Sequence, residues 1–197
     1  MPKDISIAPL LFFVSFLFPF PFPHFTCIKS PQMDTPETIT KGDTARTAEV
    51  CEAHGITQKE FLELRQRATA AKATAYCPYS QFRVGATVLS SEGELTSGAN
   101  VENASYPVGT CAERVALGRA VTSGHRGFRA IAVATDIAPP ASPCGMCRQF
   151  IREFCALDTP VIMFDKNEDF VIVKLRQLLP MSFGPEQLPP PGATGTQ

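Results

Sequence analysis

The sequence predicts an α/β fold: one mixed sheet with helices packed against it, in the order α-β-β-α-β-α-β-β. Three observations carry that prediction. Short apolar runs rich in β-branched residues alternate with segments of helical periodicity. One run, 130–135, is apolar almost without interruption, as a strand buried on both faces must be. Between two other runs, Ser90, Ser91, Glu92 and Gly93 form a hairpin signal.

In chain order, Thr57 and Glu60 match a capping box, and Phe61, Leu62, Leu64, Ala68 and Ala71 follow at helical spacing, so a first amphipathic helix is expected to reach about residue 73. The 76–80 stretch, with Pro78, ends it. Runs 84–89 and 95–99 are the hairpin strands. A loop over 100–109, carrying Pro107 and Gly109, leads into a helix from about 111 to 122, stopped near Gly124. After the buried strand, residues 139–143 turn the chain into a helix ending near Phe154. Runs 161–164 and 170–173 are the last strands, 175–179 is a short helix, and the proline-rich segment from Leu188 on is expected to be a disordered tail. No internal repeat is visible.

Two stretches carry the chemistry. Cys144 and Cys147 form a C-x-x-C pair at a helix start, where two sulfurs on one turn bind a soft or borderline cation, most often zinc. Zinc needs at least one further protein ligand, and Cys111 is the other cysteine set at a helix opening; His24, His54 and His125 lie outside both stretches. Three thiolates leave a fourth tetrahedral position open to water, which distinguishes a catalytic zinc from a closed structural one. Glu113, two residues after Cys111, can reach that water without ligating the metal. A cysteine, a glutamate two residues on and a later P-C-x-x-C, here 143–147, form the pattern of zinc nucleobase deaminases. Three thiolates overcompensate a dication and make its water less acidic; both helix N-termini and the Arg114 guanidinium offset that negative charge.

Taken singly, these residues have plainer roles. The cysteines suit small buried hydrophobes or a redox pair, Glu113 an acid in a helix's first turn, and Arg114 a surface position. Together with five ordered motifs they mean more. Over about two-thirds of the chain, from Phe61 to Leu188, the protein resembles the small homotetrameric type of zinc-dependent cytidine deaminase. The resemblance runs through 77–85 (CPYSQFRVG), 100–104 (NVENA), 111–114 (CAER), 143–149 (PCGMCRQ) and 178–185 (LLPMSFGP).

The resemblance implies a three-layer sandwich with a five-stranded sheet, one Zn2+ per chain on Cys111, Cys144 and Cys147, and Glu113 as the catalytic proton carrier. It implies hydrolytic deamination of cytidine and 2′-deoxycytidine to the uridines with release of ammonia, a step of pyrimidine salvage. Phe82 is then placed against the pyrimidine ring, although as a phenylalanine it also suits the core. Asn100 and Glu102 fall on the sugar hydroxyls, where the plainer reading is a solvated loop. Ala104, Tyr106 and Ala112 are further substrate-binding positions, and Arg114 donates to the zinc thiolates. Tyr79 and Phe183 complete a neighbouring subunit's pocket; the alternative for Phe183 is an anchor of the C-terminal segment on its own domain. A carboxylate near the sugar repels a 5′-phosphate, so free nucleoside is the expected substrate. Rival readings are a deaminase of another small heterocycle or of a polynucleotide base, a non-enzymatic zinc module with a fourth protein ligand, and a thiol oxidoreductase using Cys144 and Cys147.

Composition agrees with one domain and flanking tails: 197 residues are 44% apolar. A net charge of −1 with no basic run gives no general attraction to nucleic acid or to an anionic membrane, so neither is an expected partner. Seven cysteines, an odd number, argue against a disulfide framework, and zinc-binding thiols favour a reducing, cytoplasmic setting. Residues 1–55 read as an extension, 56–188 as the catalytic domain and 189–197 as the tail. Within the extension, the apolar run 7–18 is too short to span a bilayer, and Pro19, Pro21 and Pro23 bar its continuation as a helix. No net positive charge precedes it, no A-x-A-like cleavage site follows, and no arginine occurs before Arg46, against secretory and mitochondrial signals alike. Residues 1–32 are therefore expected to be a mis-assigned start or a dispensable extension with Met33 as initiator, and 33–55 a flexible polar lead-in.

Overall fold

One strand divides the core in two. Along β3 (Phe128–Thr135), Ala130, Ala132 and Ala134 join one buried cluster while Ile131 and Val133 join another, the period of two that a strand between two layers requires. A computed structural model of the protein, which describes residues 36–189, builds three layers around this strand. The expectations for 1–32 and for the tail beyond 189 lie outside the described residues.

On one face, α1 (Thr44–Ala53) contributes Val50 and Cys51, and α2 (Gln58–Ala71) contributes Phe61, Leu64 and Ala68. On the other, α3 (Ala112–Thr122) and α4 (Gly145–Phe154) bury Ala116, Leu117, Ala120 and Ile151. The sheet between them has the order β2-β1-β3-β4-β5, with β1 spanning Val84–Ser90, β2 Leu95–Ala99, β4 Pro160–Phe164 and β5 Phe170–Lys174. β1 pairs antiparallel with both β2 and β3, and β4 antiparallel with β5. β3 and β4 are parallel, joined through α4, so the sheet is mixed as expected. A short α5 (Leu175–Leu178) follows β5.

Local chemistry accounts for the elements. α2 opens on the capping box, with Glu60 N donating to Thr57 Oγ1 at 3.2 Å and Thr57 N donating to Glu60 Oε2 at 2.9 Å. Its Phe61 then meets Phe170 and Phe164, with ring centroids 4.8 and 5.6 Å away. Truncating one of these rings to alanine would cost about 3–5 kcal/mol. Leu62, read as part of the same apolar face, is instead exposed.

The lead-in expected over 33–55 is corrected for its described part. Ile39 is buried, its N–H donates to Phe170 O at 2.8 Å, and Phe170 N returns a bond to Ile39 O at 2.9 Å, which extends the sheet beyond β5. α1 then starts on Asp43, whose carboxylate accepts from Arg46 N at 2.9 Å. Only Val50 and Cys51 of this helix are buried, too narrow an apolar stripe to register as helical periodicity. Among the described residues, no helix is long and apolar enough to cross a membrane.

A glycine sets the distance between α3 and the sheet. A Cβ on Gly98 in β2 would lie 2.5 Å from Ala116 N and 3.0 Å from Ala112 O, both backbone atoms of α3. Gly118, within α3 itself, has nothing within 4 Å of the same construction. Gly98→Ala should therefore destabilise the fold by about 1–3 kcal/mol through overpacking. Gly118→Ala should stabilise it by about 0.5–1 kcal/mol through helix propensity. Urea denaturation of the two variants checks this, and shifts of the same sign would refute the close approach.

Candidate active site

Cysteines stand where two helices begin. Cys111 is the N-cap of α3 and Cys144 the N-cap of α4; both backbones are extended, and neither side chain caps its own helix. The Ser, Thr, Asp or Asn usual at such positions bends back onto the helix N–H groups. Here both sulfurs are left for another partner. Cys147, one turn into α4, is fully buried. The Cys111 and Cys144 sulfurs are 3.9 Å apart, and all three lie within 4.8 Å of one another. A tetrahedral zinc with Zn–S bonds of about 2.3 Å spaces its sulfurs about 3.8 Å apart, so the cluster has the size and softness for that ion. Among the described residues, no fourth His, Cys, Asp or Glu joins the cluster.

The clustered thiols titrate in opposite directions. The Cys111 thiol is lowered to about 5, first by a hydrogen bond from the Cys147 thiol and then by Arg114 and Cys144, against the opposing effect of burial. Cys147 moves the opposite way, raised by that same hydrogen bond, by burial and by the nearby Glu113. Arg114 Nη2 donates to Gly109 O at 3.2 Å and lies 3.9 Å from Cys111 Sγ. Its Nε is buried without a hydrogen-bond partner among the described residues. Glu113, only 4% exposed, has its carboxyl raised by burial, with the negative charge on Cys111 adding to the effect.

A pocket of about 340 Å³ opens over this cluster. Its wall brings together Phe82, Asn100, Glu102, Tyr106, Cys111, Glu113 and Cys144 from the expected set. Ala112 is fully buried and Ala104 is exposed, and neither side chain is part of that wall. Tyr79 flanks the mouth, its ring 5.8 Å from that of Tyr106. Phe183 stands apart, more than half exposed on a C-terminal segment clamped to α4: Gln149 Nε2 donates to Phe183 O at 3.0 Å and Arg152 Nε to Ser182 Oγ at 3.1 Å. The segment is anchored on its own domain, but the Phe183 ring is not.

Asn100 and Glu102 are engaged with their own chain. Val84 N donates to Asn100 Oδ1 at 2.8 Å, and Asn100 Nδ2 donates to Phe82 O at 2.9 Å. Glu102 Oε2 accepts from Tyr79 N at 2.9 Å and Ser80 N at 3.2 Å, and Ser80 Oγ donates to Oε1. These bonds hold the 79–84 segment, and with it Phe82, against the loop that enters α3. Between Ser80 and Phe82, Gln81 adopts φ +57, a left-handed turn that reverses the chain.

Sequence reasoning missed three parts of the site. Ser80 lines the pocket and bonds Glu102, a pairing across 22 positions with no local signal. Arg148 donates to Pro143 O at 2.7 Å, Leu178 O at 2.8 Å and Ser142 Oγ at 2.8 Å, fixing the turn that presents Cys144, and its partner Leu178 lies 30 positions away. Thr135 lines the pocket from the end of β3.

Replacing one ligand should empty the centre without unfolding the domain. For Cys144→Ser, exposed at the helix start, the expected outcome is loss of most bound zinc by elemental analysis with a retained far-UV spectrum. Full zinc occupancy in that variant would remove Cys144 from the ligand set.

The comparisons with known proteins agree with this geometry. Residues 58–163 match the family described as cytidine and deoxycytidylate deaminase zinc-binding region. The chain is 44% identical over 118 residues to the cytidine deaminase of Sporosarcina psychrophila, covering 60% of this chain and 87% of that protein. It is 43% identical over 125 residues to the cytidine deaminase of Halalkalibacterium halodurans, covering 64% of this chain and 95% of that one. The crystal structure of cytidine deaminase from Burkholderia pseudomallei superposes with a TM-score of 0.60 at 40% identity, over 62% of this chain and 98% of that structure. With a three-thiol centre at two helix starts and a buried glutamate beside it, the chain belongs to the zinc-dependent cytidine and deoxycytidylate deaminase family.

Proposed function

We propose that the protein hydrolyses the exocyclic amine of cytidine and 2′-deoxycytidine, yielding the uridines and ammonia. The observation that carries this reading is the placement of Glu113, buried at the floor of the pocket beside three clustered thiols and outside the ligand set. When bound by Cys111, Cys144 and Cys147, zinc supplies a Lewis acid that lowers the pKa of a neighbouring water from 15.7 toward about 7, less far with three thiolates than with neutral ligands.

The protein's own groups do the rest. Phe82 packs against the ring, and the pocket wall excludes bulk water from the base. Glu113 takes a proton from the attacking water and passes it to ring N3, which makes C4 electrophilic. The C4–O bond forms, Glu113 carries the second proton to the exocyclic nitrogen, and the C4–N bond breaks to release ammonia. A carboxyl raised by burial suits this work, since it must hold each proton between transfers.

Glu102 favours a free nucleoside. Hydrogen bonding from the Ser80 hydroxyl keeps its carboxyl below the usual range, so it is anionic at the pocket wall and opposes a 5′-phosphate. Asn100 and Glu102 are assigned to the sugar hydroxyls, Ala104, Tyr106 and Ala112 to the remaining substrate contacts, and Arg114 to the thiolates. The exposed rings of Tyr79, Tyr106 and Phe183 support assembly into a homotetramer in which a neighbour's aromatic side chain closes the pocket. The cysteines that are free among the described residues support a reducing compartment, the cytoplasm, and the product chemistry supports a role in pyrimidine salvage.

Glu113→Gln should leave a folded, zinc-loaded protein whose cytidine turnover falls by about 10² to 10⁴-fold. Ammonia release measured alongside zinc content tests this, and near-normal turnover would remove Glu113 from the mechanism. In competition assays cytidine should be displaced by 2′-deoxycytidine but not by cytidine 5′-monophosphate or single-stranded DNA. Strong inhibition by the polynucleotide would favour the rival deaminase.

A further inference from the structure

One polar group at the floor of the pocket has no role in the scheme above. Thr135 is the last residue of β3, only 3% exposed, and it lines the same pocket as Glu113. Its backbone is fixed: Thr135 pairs with Val84 of β1, and Lys72 Nζ donates to Thr135 O at 3.2 Å while pairing with Asp136 at 3.0 Å. Its hydroxyl is buried without a hydrogen-bond partner among the described residues. A buried hydroxyl left in that condition costs about 1–3 kcal/mol, which a ligand in the pocket can recover. Rotation about χ1 carries the hydroxyl from one staggered position to another with no backbone movement, so a ligand in the pocket can draw it into a hydrogen bond.

We propose that Thr135 is a substrate-positioning residue whose hydroxyl hydrogen-bonds the polar edge of the bound pyrimidine. The inference rests on the deaminase reading of the pocket. Depth selects the base rather than the sugar. Thr135, Val133 and Glu113 are each under 5% exposed and form the floor, whereas Tyr106 is 75% exposed at the mouth. Since C4 must reach Glu113, the heterocycle occupies the floor and the sugar lies toward the mouth. Alternation along β3 places Thr135 on the side of Ile131 and Val133, which is the α3 and α4 side. A hydroxyl both donates and accepts, so it can serve the exocyclic amine of the substrate and the carbonyl oxygen that replaces it in the product.

The test compares zinc-loaded wild type with Thr135→Val, Thr135→Ser and Thr135→Ala in steady-state kinetics on both nucleosides and in thermal melting without nucleoside. Thr135→Val removes a hydroxyl that has no partner, so the free protein should melt at the wild-type temperature or above. Its kcat/KM should fall by about 3- to 12-fold, equally for cytidine and 2′-deoxycytidine. Thr135→Ser should stay within about twofold of wild type, and should exceed Thr135→Ala by the same 3- to 12-fold even if the valine variant fails to fold. Wild-type kinetics in Thr135→Val, or a penalty confined to one sugar, would overturn the inference. A melting temperature lowered in Thr135→Val but kept in Thr135→Ser would also overturn it, by revealing a partner in the free protein. A wild-type enzyme inactive on both nucleosides would instead overturn the deaminase reading, and this inference with it.

Discussion

Two helix N-termini meet, and their meeting brings three sulfurs within 4.8 Å. The rest of the domain depends on that convergence. Each N-terminus presents backbone N–H groups without helical partners and the positive end of a dipole, both suited to thiolate charge. Placing cysteine at the cap forgoes the side-chain bond that Ser or Asp would make and leaves the sulfur free to ligate a metal. The close approach of the thiols sets the pKa pattern among them, the hydrogen bond from Cys147 holding Cys111 low and Cys147 high, while burial raises the carboxyl of Glu113 beside them.

The sheet serves this meeting by holding both helices on one face. β1 and β3 supply Ala86, Val88, Ile131 and Val133 beneath α3 and α4, and Gly98 lets α3 approach β2 without a side chain between them. The parallel β3–β4 pair requires a crossover, and that crossover is α4, so the topology itself returns the chain to deliver Cys144 and Cys147. On the opposite face α1, α2 and the cluster of Phe61, Phe164 and Phe170 bury the other side of the same strands. Fold and site are thus coupled through α3 and α4, whose buried faces make the core while their first turns carry the chemistry.

Much of this was legible in the sequence because its determinants are local. The cysteine spacing, the glutamate two residues after Cys111 and the capping box at Thr57 each sit within one or two turns, and the continuous apolar run of β3 announces burial on both faces. What escaped depends on partners far along the chain. Ser80 acquires its role from Glu102, Arg148 from Leu178, and Ile39 from Phe170, and none of these pairings leaves a periodic trace. α1 escaped for a different reason: tertiary contact of Val50 and Cys51 stabilises a helix whose own pattern is polar. Thr135 reads as the polar end of a strand, and only the register of β3 shows which face it occupies.

The proposed chemistry requires a zinc with three sulfur ligands and one open side next to Glu113. Zinc-edge X-ray absorption of the purified protein tests it directly. The predicted spectrum contains three sulfur scatterers at about 2.3 Å and a single lighter neighbour that exchanges when a nucleoside analogue is added. Four protein donors, whether a fourth sulfur or an imidazole, unchanged by any nucleoside, would contradict it.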